Sequence, residues 1–262
     1  MDRADKVDIF GVEIQNTTLS ELVDNLEESL ARGRFCKVFT PNTEIVMAAK
    51  KSESLKAELN KGTHVIPDGI GLIYGAKMRG ITLKERVTGY DTSMELLRIA
   101  DQNKYGLYLL GGREGIAEEA KRQLQKDYPG IRVTGCHHGY FKGSHTGYGF
   151  TPQEQEIIKE IKDSGTDILF VGFGFPRQEI WINTHGENLG VKVAIGNGGV
   201  IDILAGQARR APDIFIKLGL EWFYRLVTNP SRIKRQVVLP LFLVEVALNG
   251  KSIHKISKED KQ

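Results

Sequence analysis

The chain has 262 residues, of which 40% are hydrophobic and 26% charged, a balance that excludes pervasive disorder and allows one large domain or two small ones. Its net charge of +3 is modest but uneven, the basic excess lying in a C-terminal segment that suits phosphate-bearing partners: nucleic acid, anionic membrane or a sugar diphosphate. Two cysteines, Cys36 and Cys136, are too few for a disulfide framework or a thiolate metal cluster, and with no secretory leader pattern they place the chain in a reducing cytoplasm. In chain order, residues 7–14 read as a short hairpin turning at Gly11. Thr18 and Glu21 then form a capping box for a helix whose stripe is Leu19, Leu22, Val23, Leu26 and Leu30, ending at Gly33. A strand is expected over 35–40, and Pro41-Asn42-Thr43-Glu44 opens the next helix. A helix over 52–60 precedes the β-branched run that delivers Asp68, and helices follow over 69–79 and 94–100.

The second half repeats strand, turn and helix more plainly. Strands are expected over 106–110, 131–134, 167–172 and 191–195, with helices over 116–127 and from Pro152. Thr151, Pro152 and Glu154 supply a cap, a proline at the first helical position and a box glutamate. The Gly/Ser-rich stretch 143–150 is expected to be a mobile loop. Residues 167–172 are almost all apolar, the mark of a sheet covered on both faces. This alternation predicts an α/β fold, a Rossmann-like, doubly wound and mainly parallel sheet of about six strands. Past 207 the character changes, so a catalytic core over 1–207 and a helical, basic appendage over 208–262 are expected. From Ala205 onward eleven Lys/Arg stand against five Asp/Glu. Residues 214–227 are apolar and aromatic, Asn229-Pro230 breaks them, and 237–248 form an apolar run too short to span a bilayer. An apolar face with a basic rim fits a helix lying in an anionic membrane interface, and equally one packed on the domain or in a homo-oligomer.

Chemistry is sought where strands end and helices begin, because ligands of open α/β sheets bind there. In Val65-Ile66-Pro67-Asp68-Gly69-Ile70-Gly71, Asp68 is either a turn or capping residue or a reacting carboxylate. Gly111-Gly112, Gly172-x-Gly174 and Gly196-x-Gly198-Gly199 are turns in which backbone N–H groups could meet an anion. None is a dinucleotide fingerprint, since Arg177 stands where a third glycine is needed, and no P-loop follows. That argues against a nucleotide-dependent oxidoreductase. No Asp-x-Asp pair is present to hold Mg²⁺ or Mn²⁺ on a nucleotide diphosphate, and His137 and His138, adjacent on a strand, would point to opposite faces. No metal and no cofactor is therefore expected. A diphosphate leaving without a metal needs arginines, and Arg86, Arg225, Arg232 and Arg235 are candidates, with Arg209 and Arg210 as surface or packing residues.

Taken together, Thr40-Pro41-Asn42, Pro67-Asp68-Gly69-Ile70-Gly71, Arg86-Val87-Thr88-Gly89, Leu110-Gly111-Gly112, His138-Gly139-Tyr140-Phe141, Gly172-Phe173-Gly174-x-Pro176-x-Gln178-Glu179-x-Trp181, Arg210-Ala211-Pro212 and Leu220-Glu221-Trp222-x-x-Arg225-Leu226 resemble the WecG/TagA/CpsF family of bacterial glycosyltransferases. The motifs run in family order over nearly the whole chain. The resemblance, nearest the TagA branch, implies a UDP-sugar donor carrying N-acetylmannosamine and an undecaprenyl-diphosphate-linked N-acetylglucosamine acceptor. It implies inversion, a β-1,4 bond, wall teichoic acid linkage-unit synthesis and a peripheral place on the inner face of the membrane. Relatives that use N-acetylmannosaminuronic acid, or build capsule or exopolysaccharide, are the alternative. It makes Asp68 the catalytic base and puts Thr40, Asn42, Arg86 and Gln178 around the sugars. Tyr140 and Asp202 fall at the uridine, and Gly111, Gly112, Phe173, Gly174, Gly198 and Gly199 in the substrate turns. Arg225, Arg232 and Arg235 are the appendage arginines that would stabilise the leaving diphosphate. Nucleic acid is not an expected partner. The chain departs from the pattern at Asn197 and Ile201 and in the length of 143–150, all near the uridine end.

Overall fold

Two strands that pair only with each other and with the far end of the chain open the computed structural model, which describes residues 5–228, 235 and 237–256, the side chain of Arg225 excepted. These are β1 (Lys6–Ile9) and β2 (Val12–Gln15), an antiparallel hairpin. The helix α1 (Leu19–Arg32) follows with the expected capping box at Thr18 and Glu21 and a left-handed Gly33 at its end. Then come β3 (Cys36–Phe39), α2 (Thr43–Lys50), α3 (Glu53–Asn60), β4 (His64–Val65), α4 (Ile70–Met78) and α5 (Gly89–Asn103). The second half runs β5 (Gly106–Gly111), α6 (Ile116–Asp127), β6 (Arg132–His137), α7 (Pro152–Asp163), β7 (Ile168–Gly172), α8 (Arg177–His185), β8 (Val193–Gly196) and α9 (Val200–Leu204). The described part closes with α10 (Asp213–Lys217), α11 (Glu221–Thr228), α12 (Val238–Leu248) and β9 (Ile253–Lys255).

The six strands β3 to β8 form one parallel sheet in the order β4-β3-β8-β7-β5-β6. Their period of two divides the core cleanly. Tyr108, Leu110, Leu169, Val171 and Ala194 face one hydrophobic cluster with α2, α4, α7, α8 and α12. Leu107, Leu109, Ile168, Phe170, Val193 and Ile195 face the other, with α1, α5, α6 and α9. After β3 the chain turns to the first face, and after β8 to the second. The crevice between those two neighbours is therefore a topological switch point, where ligands of such sheets bind.

The stretch 143–150 is a loop that holds a 3₁₀ turn over Ser144–Thr146. Two local expectations are corrected. Glu154, read as the box residue of α7, does not reach back to Thr151. It is fully buried and accepts hydrogen bonds from the Ser144 backbone N–H at 3.0 Å and the Ser144 hydroxyl at 2.8 Å. His145 is buried beside it, stacked on Phe173 at 4.5 Å. The buried carboxylate found a better use than a cap, because the turn brings it two donors. His137 and His138 do not point apart either. β6 ends at His137, so the next residue leaves the pleat and the two rings lie 4.3 Å apart.

The segment after 208 is fastened at its far end. Phe242 and Val246 of α12 are fully buried in the main core, Phe242 edge-on to Phe10 at 5.8 Å. Gly75 of α4 leaves the room: a Cβ there would lie 2.6 Å from the Phe242 ring. Lys50 of α2 pairs with Glu245, and β9 joins β1 antiparallel. The opposite side of α12 exposes Leu241, Val244 and Leu248, next to exposed Tyr74 and Met78 of α4. Thus α12 is both a core helix and the carrier of an apolar surface. No helix among the described residues is long and apolar enough to cross a membrane. Phe242→Ala is expected to cost about 3–5 kcal/mol in urea unfolding, as for other buried aromatics; a loss below about 1 kcal/mol would show α12 to be only loosely attached.

Candidate active site

The loops after β3 and β4 travel together, and this sets the position of Asp68. Ile66 donates to the Phe39 carbonyl at 2.9 Å and Asp68 to the Pro41 carbonyl at 3.2 Å, both through backbone N–H groups. Gly69 follows because a Cβ there would crowd the Asn42 Cα at 3.1 Å. Asn42 caps α2, its Oδ1 accepting from the Ile45 N–H at 3.1 Å. Thr40 donates its hydroxyl to the Gly196 carbonyl at 3.1 Å, tying the end of β3 to the end of β8.

Two cavities meet at these loops. The larger, of ≈ 930 Å³, runs over the ends of β3, β7 and β8, where Thr40, Gly174, Gln178, Gly198, Gly199 and Asp202 line it. The smaller, of ≈ 160 Å³, lies between α4 and the C-terminal segment, with Arg86, Ile70, Trp222 and Leu239 in its wall. Asn42, Glu44, Asp68, Glu221 and Arg235 border both. The structure thus brings Thr40, Asn42, Asp68, Arg86, Gly174, Gln178, Gly198, Gly199, Asp202 and Arg235 to one connected cleft. Gly111, Gly112, Tyr140 and Phe173 do not line it. The Phe173 ring is buried in an aromatic cluster with Phe141, His145 and Trp181, and the Tyr140 ring is exposed beyond the ends of β5 and β6. Of the appendage arginines, Arg232 lies outside the described residues, as does the side chain of Arg225, while Arg235 is in place.

The glycine turns work differently from the expected anion cradles. Gln178, almost fully buried, accepts with one oxygen from the Gly174 N–H and from the Gly198 N–H, each at 3.1 Å. Those two donors are therefore taken up by a side chain of the cleft wall itself, and the Gly112 N–H is turned toward the Gly172 carbonyl. What Gly174 and Gly198 offer a ligand is bare backbone: both have positive φ, +77° and +45°, and nothing lies within 4 Å of where a Cβ would be. At Asp202, burial raises the carboxyl pKa and nearby Arg113 opposes the rise.

Cations and anions are crossed between the core and the C-terminal segment. Arg86 of the core pairs with Glu221 of α11 at 3.3 Å, and both side chains are mostly shielded from solvent. Arg235 of the segment donates its Nε–H to both oxygens of Glu44 of α2 at 2.9 Å, at the surface. Arg210 also turns inward, stacking over Tyr90 at 4.2 Å and bonding Asp91 at 2.6 Å where α5 begins. Glu44, Glu221 and Arg210 were missed as site residues, although each lies within or beside a motif; a carboxylate next to a motif carries no sign of which cation it will meet. Among the described residues, no three His, Cys, Asp or Glu side chains cluster as metal ligands would.

Against known proteins, residues 7–255 match the model of the family described as "Glycosyl transferase WecG/TagA/CpsF family". Relatives from Staphylococcus aureus strains MRSA252, NCTC 8325 / PS 47 and COL are each 34% identical over 252 residues, covering 95% of either chain. All three are called N-acetylglucosaminyldiphosphoundecaprenol N-acetyl-beta-D-mannosaminyltransferase.

One buried carboxyl behind the cleft, next to Gln178, gives a stability test. Burial pushes Glu179 up to about 7 from its ordinary 4.5, while a hydrogen bond from Gln178 works the other way. A carboxyl raised on folding adds stability below its unfolded value and loses it as pH climbs through the folded one. Glu179→Gln keeps a carbonyl oxygen for Gln178 and removes the ionisation. Its Tm relative to the unsubstituted chain is therefore expected to rise between about pH 5 and about pH 8; a difference independent of pH would contradict the raised carboxyl.

Proposed function

The chain belongs to the WecG/TagA/CpsF glycosyltransferase family, and from that premise we propose that it transfers N-acetylmannosamine from UDP to undecaprenyl-diphosphate-linked N-acetylglucosamine. The observation that carries the proposal is the place of Asp68, on the wall shared by a wide polar cleft and a narrower recess with an apolar side. The cleft over the strand ends suits a nucleotide sugar. The recess, with Ile70, Trp222 and Leu239 beside Arg86 and Arg235, suits an acceptor that is a sugar diphosphate at one end and a lipid at the other. The names of the relatives supply the sugar and the acceptor, and the pathway proposed for this chain is synthesis of the linkage unit of wall teichoic acid.

In this reading Asp68 takes the proton from the C4 hydroxyl of the acceptor as that oxygen attacks the anomeric carbon of the donor. The bond from that carbon to the UDP oxygen breaks, UDP leaves with the electron pair, and the new β-1,4 bond has inverted configuration. Thr40, Asn42, Gln178 and Asp202 border the donor, and Gly174, Gly198 and Gly199 let its phosphates come close. Arg86 and Arg235 spread the growing negative charge, with Arg225 and Arg232 as further candidates; a guanidinium keeps its proton and meets phosphate oxygens in pairs. That set removes the need for a bound divalent ion. Arg86 and Arg235 are held by Glu221 and Glu44 until the diphosphate competes for them. The exposed Leu241, Val244 and Leu248 of α12, with the basic C-terminal segment, support attachment to the inner, anionic membrane surface, or to a second copy of the chain.

Asp202, on α9 after β8, borders the cleft, and Tyr140, beyond the end of β6, does not. A uronic-acid donor for capsule or exopolysaccharide is the alternative. UDP-ManNAc turning over faster than UDP-ManNAcA with a lipid-linked N-acetylglucosamine analogue is the expected result. In that assay Asp68→Asn should lower kcat by about 10²–10⁴-fold while UDP still binds. Turnover near that of the unsubstituted enzyme would remove Asp68 from the base role. EDTA should leave the rate within about twofold, as arginine stabilisation requires; abolition restored by Mn²⁺ would overturn the metal-independent account.

A further inference from the structure

We propose that Glu179 is a positioning residue: it fixes the orientation of the Gln178 carboxamide, which in turn holds the two glycine turns that receive the donor. The chain of contacts is short and buried. The Gln178 Nε2 donates to Glu179 Oε1 at 3.0 Å, and the Gln178 Oε1 accepts from the N–H groups of Gly174 and Gly198 at 3.1 Å each. One turn follows β7 and the other β8, so a single side-chain oxygen joins the ends of neighbouring strands. The carboxamide sits against the β8 end, where a Cβ on Gly196 would come within 2.9 Å of Nε2. On the other side of that glycine, Thr40 bonds its carbonyl.

An amide can be reversed end for end with little change of shape, and only its partners decide which way it lies. Reversed, the Gln178 amine hydrogens would face two N–H donors, and its oxygen would face the Glu179 carboxyl oxygen. Glu179 is nearly fully buried, and its Oε1 is the acceptor that rules this out. The orientation matters because glycine at Gly174 and Gly198 permits many backbone conformations, and the two hydrogen bonds to the Gln178 oxygen select the observed ones, with φ of +77° and +45°. Glu179 reaches neither cavity. It acts on the donor site through Gln178 alone.

The donor part of this assignment rests on the functional reading above; the orientation of the two turns does not. The test therefore reads both, as amide exchange at Gly174 and Gly198 and as the Kd for UDP, on the full chain. Glu179→Leu removes the acceptor and should speed exchange at both amides and weaken UDP by about tenfold. Glu179→Gln, which retains a carbonyl oxygen, should bring both back to within about threefold. Exchange at the β5 amides, which should stay slow, guards against a leucine variant that folds poorly. Unchanged exchange at Gly174 and Gly198 in Glu179→Leu, or exchange as fast in Glu179→Gln as in Glu179→Leu, overturns the positioning role whether or not UDP binds. An unsubstituted chain that protects both amides and does not bind UDP overturns the donor reading instead.

Discussion

The site depends on how closely the strand ends approach one another. At the tips of β5, β7 and β8 backbone meets backbone: a Cβ on Gly111 would lie 2.7 Å from the Gly172 Cα, and one on Gly172 would lie 2.8 Å from the Gly198 carbonyl. Side chains cannot enter between those tips, so their peptide groups must be satisfied locally. Gln178 and Thr40, which also line the cleft, bond the neighbouring turns, and Gly174 and Gly198 present bare backbone beside them. A parallel sheet buried on both faces makes the arrangement stiff, and stiffness at the floor lets a single carboxylate on a neighbouring loop be placed with accuracy.

Much of this was legible in the residues. The alternation of apolar strands and striped helices foretold the parallel sheet, and collinear motifs drew Asp68, Arg86, Thr40 and Gln178 toward one place. Where reasoning from the chain failed, it failed for physical reasons. A glycine turn looks the same whether its N–H groups face a phosphate or a glutamine, since direction depends on a side chain from another turn. Glu154 satisfied a capping pattern and then ignored it for a buried turn ten residues upstream. Long-range charge pairs such as Glu221 with Arg86 leave no periodic trace at all. A lone histidine pair was read as divergent because the end of β6 could not be located to the residue.

The C-terminal segment combines two demands that usually conflict. Part of it packs in the core, through Phe242 and Val246, and part lies over the cleft, through Glu221, Trp222 and Arg235. Its charges are matched to the core by exchange: the core lends an arginine and a glutamate, and the segment returns one of each. Such pairs hold a surface in register without much net stability, and they yield to a ligand carrying more charge than a carboxylate. Cutting the chain near Arg210 would therefore remove core packing as well as cleft wall, and the two losses would appear as one.

The pairing of β9 with β1 has a consequence for how the molecule is made. The first strand waits for a partner that lies beyond the entire six-stranded sheet, so the hairpin's edge stays open through most of folding. Closing so large a loop adds little free energy beyond that for a smaller one, because the entropy cost grows only with the logarithm of length. In time it comes late, since contacts so distant along the chain form after local ones. Lys6 and Asp8, charged side chains on the waiting edge, discourage strange strands from pairing there first. The same late closure draws the C-terminal segment across a sheet already built, so the cleft is roofed only after its floor is finished.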